Sequence, residues 1–201
     1  MIRHVPNILT CGRLVLTIVF LIMILYSPQA EKHAQFLDVA FVIFVITGLT
    51  DIVDGHLARR FNVTSKFGRI MDPLADKVLV CGTFICFALI GEPRLYDLSD
   101  RALAVIHWSV AGILILRETY VTVLRQWAEY HGINFAATKS GKIKMFLQAF
   151  AIGTVIVKMA HVPTALWGYC FTSTVFILMV GATVISGIRA SMRDTSIQAD
   201  G

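Results

Sequence analysis

Charge is what this sequence has least of. Asp, Glu, Lys and Arg make up only 15% of its 201 residues, whereas soluble domains carry about 25%. A disordered chain is excluded, because disorder needs low hydrophobicity and high net charge, and here 56% of residues are apolar. With mean hydropathy at +0.71, a single water-soluble core is all but excluded as well, since it would leave wide apolar surfaces against water. Cysteine is sparse and unpatterned. Cys11, Cys81, Cys86 and Cys170 show no CxxC spacing and lie in or beside apolar segments, so they read as small buried hydrophobes, not disulfide partners or zinc ligands. Internal repeats and low-complexity stretches are missing. No cleavage site follows the first apolar run, which is expected to be retained as a membrane segment.

What the sequence does have is six uncharged apolar runs: Leu14–Tyr26, Val39–Thr50, Val78–Ile90, Ala102–Leu116, Met145–Val157 and Leu166–Ile188. They predict an all-α integral membrane protein with six transmembrane helices. Each span takes roughly 20 residues, which leaves no room for a separate soluble domain. One membrane domain is expected over residues 1–193, followed by a short polar tail, 194–201, that should fray. Five of the six runs are too short to cross alone: 13 residues rise only about 20 Å, against a hydrocarbon core of ~30 Å. Each must continue as helix through ionisable residues at one end.

The basic residues sort by connection. Fourteen of the 18 Lys and Arg fall in the N-terminus, the 55–77 segment, the 117–144 stretch and the C-terminal tail, and only Lys32, Arg94, Arg101 and Lys158 fall in the other connections. The positive-inside rule then places both termini in the cytoplasm. The net charge of +5 is read as this basic flank facing an anionic leaflet, with no nucleic acid implied. Under that orientation Arg13, Asp51 with Asp54, Asp72 with Asp76, Arg117 with Glu118, and Lys142 all meet near the cytoplasmic interface. A polar cavity open to the cytoplasm is expected there, because intramembrane charge is costly and usually functional.

Asp51 and Asp54 are three residues apart, Asp72 and Asp76 four apart, and on helices both spacings share a face. Four carboxylates converging at one depth need cations. Oxygen-only ligands favour Mg²⁺, Mn²⁺ or Ca²⁺ over zinc, and two such ions would suit phosphoryl chemistry. The alternative, aspartates serving only as helix caps or loop charges, accounts for a single interfacial Asp better than for four at helical spacing.

Residues 51–76 read DIVDGHLARRFNVTSKFGRIMDPLAD. This resembles the signature of the CDP-alcohol phosphotransferases, D-x2-D-G-x2-A-R-x8-G-x3-D-x3-D, at every fixed position: Asp51, Asp54, Gly55, Ala58, Arg59, Gly68, Asp72 and Asp76. The resemblance implies the six-helix fold of that family. It also implies two Mg²⁺ ions, for which Mn²⁺ could substitute, held by Asp51, Asp54, Asp72 and Asp76, with Asp76 also the base for the acceptor hydroxyl. Gly55 and Ala58 would let a nucleotide approach the helix, Arg59 would neutralise its pyrophosphate, and Asp54 and Gly68 would complete that site. Asn7, Thr10 and Arg13 resemble the family's N-x2-T-x2-R element, which helps hold the CDP moiety. Alone that element would be weak, since Asn7 or Thr10 could simply cap the helix.

The acceptor is addressed by a second group. Arg117, Arg125, Lys139 and Lys142 are candidates for a phosphorylated acceptor, with Glu118 read as holding Arg117; a plain positive-inside cluster is the alternative. The pattern "NILT..R", "FGRIMDPLADKVLV", "RE....LR" and "SGKIKM" resembles the bacterial branch of the family that transfers a phosphatidyl group from CDP-diacylglycerol to sn-glycerol 3-phosphate. That resemblance implies a multi-pass enzyme of the bacterial inner membrane, its site facing the cytoplasm, surrounded by membrane lipids and assembled as a homodimer. Members using an inositol phosphate or phosphatidylglycerol share the signature and stay open as alternatives. A cation transporter is a more distant one, because it needs polar groups through the midplane.

Overall fold

The computed structural model describes the backbone of residues 5–61, 66–96, 98–131 and 139–199, and the side chains of residues 10–50, 74–96, 98–128, 130–131 and 141–192. These residues form six long α-helices: α1 (Val5–Tyr26), α2 (His33–Phe61), α3 (Lys66–Ile90), α4 (Asp100–Tyr130), α5 (Lys139–His161) and α6 (Leu166–Ala199). Among the described residues there is no strand. The helices outrun the apolar stretches that seed them, as the short runs require. α2 extends past Thr50 through both aspartates to Phe61, and its 29 residues rise about 44 Å.

Along α1 with the 3₁₀ turn Ser27–Gln29 that follows it, and within α2, α4, α5 and α6, the segments Thr10–Gln29, His33–Thr50, Asp100–Ala128, Gly141–His161 and Leu166–Met192 are long and apolar enough to cross a membrane. α3 is divided differently. Lys66, Arg69, Asp72, Asp76 and Lys77 crowd its first half, and its apolar half starts at Val78.

The helices close into a ring. Going round it, α2 packs on α1, α1 on α3, α3 on α4, α4 on α6, α6 on α5 and α5 on α2, while α3 also reaches α5 across the middle. Short connections, one of them a 3₁₀ turn at Ser27–Gln29, join α1 to α2, α3 to α4 and α5 to α6, so these three turns share one end. His161 of α5 meets Asp38 of α2 there at 2.8 Å. Arg13, Asp76, Arg117, Lys144 and Ser186 belong to the opposite end.

Aromatic rings fill the core. Phe20 and Phe44 stand 5.4 Å apart, Phe84 meets Phe87 edge-on at 6.0 Å, and Leu114, Ile152, Ile156 and Met179 pack around them. The perimeter is also apolar, with Val15, Ile18, Ile22, Val105, Leu116 and Ile177 all exposed. Helices apolar on every side belong in lipid. Three buried threonines are satisfied within their own helices: Thr17, Thr47 and Thr183 each donate to the carbonyl four residues back, at 2.7–2.9 Å. That is how a hydroxyl avoids the cost of hydrocarbon. A cavity of ≈ 390 Å³ opens between α2, α5 and α6, lined by residues such as Phe41, Phe150, Val157 and Phe171. It is apolar and lies toward the turn end, so it is not the polar cavity expected from the charge pattern.

Two expectations are corrected. All four cysteines are free thiols, but only Cys86 is buried; Cys81 is half-buried, and Cys11 and Cys170 are exposed. Cysteine is as welcome against lipid as in a core, and an all-apolar helix does not mark which side is which. The polar tail does not fray at its start: α6 continues to Ala199, because no Gly or Pro interrupts residues 188–199.

The α1–α3 seam depends on a missing side chain. A methyl group at Gly82 would lie 2.9 Å from Leu21 Cδ1, whereas one at Gly112 would meet nothing within 4 Å. Gly82→Val should therefore lower the melting temperature in detergent, at a cost of about 1–3 kcal/mol, while Gly112→Val should leave it nearly unchanged. Equal melting of the two variants would show that the seam is not tightly packed.

Candidate active site

The helix backbone runs unbroken through positions 51–61 and 66–90. Positions 51 and 54 are therefore about one turn apart on α2, and 72 and 76 about one turn apart on α3. The side chains of Asn7, Asp51, Asp54, Gly55, Ala58, Arg59, Gly68, Asp72 and Lys139 lie outside the described residues. Asp76 is described: its side chain is 41% exposed, and one carboxylate oxygen lies 4.0 Å from Nη1 of Arg13, whose side chain is 2% exposed. A carboxylate this open can receive a cation or an acceptor hydroxyl, and oxygen donors suit a hard divalent ion.

Arg13 reaches Asp76 because of a stripe on α1. Thr10, Arg13, Thr17, Phe20 and Ile24 are all buried, at spacings of three and four residues that share one face. That face packs along the neighbouring helices, and its polar upper part delivers Arg13 to the start of α3. Arg13 of the expected nucleotide element thus stands beside the expected base, with Thr10 about one turn away on the same face of α1.

A second cluster joins α4, α5 and α6. Glu118 Oε1 accepts a hydrogen bond from Arg117 Nη1 at 3.1 Å and a short one from Lys144 Nζ. Arg117 Nη2 donates to Ser186 Oγ of α6 at 2.5 Å. The side chains of Arg117, Glu118 and Lys144 are only 12%, 15% and 6% exposed. Among the described residues, one anion shared by two cations leaves a surplus positive charge in a nearly dry site. Cys81 of α3 is an electrostatic neighbour of both Glu118 and Lys144. It lies five residues beyond Asp76, about 7.5 Å of helix rise, which places the cationic cluster deeper than the aspartate along the same helix.

Of the residues proposed for an acceptor phosphate, Arg117 is the one this cluster contains. Lys142 and Arg125 are exposed, and no hydrogen bond or ion pair joins either to Arg117 among the described residues. The sequence reading passed over Lys144. Positions 142 and 144 differ by about 200° around a helix, so when 144 faces the bundle, 142 faces away. Ser186 was missed as well. Its only signal is its place among the small buried residues Thr183, Ser186 and Ala190, a spacing that lets helices approach closely. His107 is buried, with Nε2 3.1 Å from the Pro93 carbonyl oxygen.

Breaking a buried ion pair from one side strands the other charge, at a cost of about 3–5 kcal/mol. Lys144→Met and Glu118→Gln should each lower the melting temperature markedly. The double variant should be less destabilised than the two single losses summed. Strict additivity would show that the two groups are not coupled.

The CDP-alcohol phosphatidyltransferase family model matches residues 3–188. The chain is 34% identical over 196 residues to a Mycobacterium tuberculosis protein named probable phosphatidylglycerophosphate synthase, covering 96% of this chain and 84% of that one. It is 32% identical over 192 residues to a Bacillus subtilis protein named CDP-diacylglycerol–glycerol-3-phosphate 3-phosphatidyltransferase, covering 92% and 91%. A Shigella flexneri protein of the same name is 30% identical over 200 residues, covering 95% and 98%. With 186 of its 201 residues inside the matched range, the chain belongs to the CDP-alcohol phosphatidyltransferase family.

Proposed function

We propose that this protein transfers a phosphatidyl group from CDP-diacylglycerol to sn-glycerol 3-phosphate, giving phosphatidylglycerophosphate and CMP. The observation that carries the reading is full-length similarity to relatives named for that reaction, joined to the complete eight-position signature. The buried, net-positive cluster around Arg117 supports a phosphorylated acceptor.

The chemistry is a displacement at the β-phosphorus of the donor. The acceptor hydroxyl oxygen forms the new P–O bond, Asp76 takes its proton, and the bond to the bridging oxygen breaks to release CMP. Arg59 neutralises charge on the departing phosphate, while Asn7, Thr10, Arg13, Asp54, Gly55, Ala58 and Gly68 hold the nucleotide. Asp51, Asp54, Asp72 and Asp76 are the residues that would hold two Mg²⁺ ions, which supply charge neutralisation and lower the pKa of a nearby hydroxyl. Arg117 receives the acceptor phosphate, with Lys139 expected beside it; Lys142 and Arg125 are exposed and stand outside this cluster.

The membrane arrangement belongs to the same reading: six spans, both termini and the site on the cytoplasmic side of the bacterial inner membrane, and a homodimer. The 14-to-4 partition of basic residues supports the orientation, and α3, on the ring with five membrane-length helices, supports the sixth span.

Purified protein in detergent with CDP-diacylglycerol and Mg²⁺ should release CMP when glycerol 3-phosphate is added, and EDTA should abolish the release. Stimulation by inositol 1-phosphate or phosphatidylglycerol instead would reassign the acceptor; no release with any acceptor would overturn the enzyme reading. Asp76→Asn should cut turnover by roughly 10²-fold or more, the scale of general-base loss, with nucleotide affinity changed far less. Equal losses in both would remove Asp76 as the base.

A further inference from the structure

The last helix contributed nothing to the site as read from sequence, yet it makes the shortest contact that Arg117 has. Ser186 is 2% exposed and accepts from Arg117 Nη2 at 2.5 Å. At the next position, Gly187, a methyl group would sit 3.3 Å from Arg117 Cγ, tighter than ordinary contact. The arginine stem therefore lies across α6 at the one position whose lack of a side chain leaves it room, and its tip is fixed by the residue before. On the other side Nη1 is held by Glu118, which Lys144 of α5 also engages. Arg117 Nε is buried and has no hydrogen-bond partner among the described residues.

These contacts do different things. Ser186 and Gly187 set position. Lys144 sets charge: by sharing the same Glu118 oxygen, it keeps that carboxylate from neutralising Arg117 alone. The outcome is a guanidinium whose conformation is decided in advance, with net positive charge around it among the described residues and two of its five N–H donors engaged. Such a group binds a phosphate with little further loss of side-chain freedom, which is how preorganisation raises affinity.

We propose that Ser186, Gly187 and Lys144 are positioning residues that act through Arg117 to set affinity for the acceptor's phosphate monoester. This makes α6 and the inner face of α5 determinants of acceptor choice. The inference rests on Arg117 as the phosphate-holding residue, and the test separates the two.

The measurement is steady-state kinetics of the full-length enzyme in detergent, varying glycerol 3-phosphate and CDP-diacylglycerol in turn. Ser186→Ala should raise KM for glycerol 3-phosphate roughly 5–10-fold, the scale of one ordinary intramolecular hydrogen bond acting through Arg117. Turnover and KM for CDP-diacylglycerol should stay within about twofold, and Ser186→Thr, which keeps the hydroxyl, should recover most of the loss. Gly187→Ala and Lys144→Met should move the same constant in the same direction, with Lys144→Arg close to the parent enzyme. Arg117→Ala is the reference. If it leaves KM for glycerol 3-phosphate unchanged, the phosphate-site reading of Arg117 is wrong. If it raises that constant while Ser186→Ala and Gly187→Ala do not, or shift both substrates alike, the positioning inference is wrong and α6 is packing only.

Discussion

Because hydrocarbon offers no hydrogen-bond partner, every polar side chain along these helices must be satisfied by the protein itself or carried to an end of the bundle. Many residues here meet that constraint, in different ways. Hydroxyls fold back onto their own helices, as at Thr17, Thr47 and Thr183. Charges are carried to the two ends: at the turn end Lys158 donates to the Pro163 carbonyl, and at the other Arg13 faces Asp76 and a single oxygen of Glu118 serves both Arg117 and Lys144. A lone Lys144 or Glu118 at that burial would be expelled or neutralised, so each is tolerable only with the other present. The ion pair is weak evidence of added stability. Its consequence is geometric: α4 and α5 must keep the register that keeps these groups in contact.

The ring turns that local requirement into a site. Residues distant in the chain become neighbours because α1 packs on α3 and α4 packs on α6, each pair skipping one helix in sequence. Skipped neighbours run in the same direction, so α1 and α3 start together, and α4 and α6 reach Arg117 and Ser186 together. Arg13 and Asp76 are 63 positions apart, Arg117 and Ser186 69 apart, yet both pairs meet at the same end. A ring closed in strict sequence order would pair antiparallel helices throughout and separate them.

Much of this was legible in the sequence, for a physical reason. Apolar runs too short to cross forced the helices to continue through charge, and α2 and α3 do so. The signature spacing needed helix at positions 51–54 and 72–76, and helix is there. Rotation about each helix axis was not legible. A soluble helix announces its buried face by contrast with a polar one, but α5 and α6 are apolar nearly all round. Lys142 and Lys144 therefore looked equivalent in sequence although one is exposed and the other buried, and Cys170 looked buried although it is exposed. Ser186 and Gly187 carry no charge or motif; their importance comes from the side chain opposite them, which no pattern within α6 encodes.

The signature residues and the cationic cluster divide along the chain. The signature and the Arg13 element occupy α1, α2 and α3, whereas the cationic cluster is built by α4, α5 and α6. The contact of α3 with α5 across the ring, and the electrostatic proximity of Cys81 to Glu118 and Lys144, join the two halves. On the proposed reading, phosphoryl chemistry is confined to one half and recognition of the second substrate to the other. Substitutions around Arg117 can then change which alcohol is accepted without disturbing the carboxylates. That separation fits a family whose members share one catalytic signature while their acceptors differ. On the same reading, the final helix bears on acceptor choice by fixing one arginine of α4.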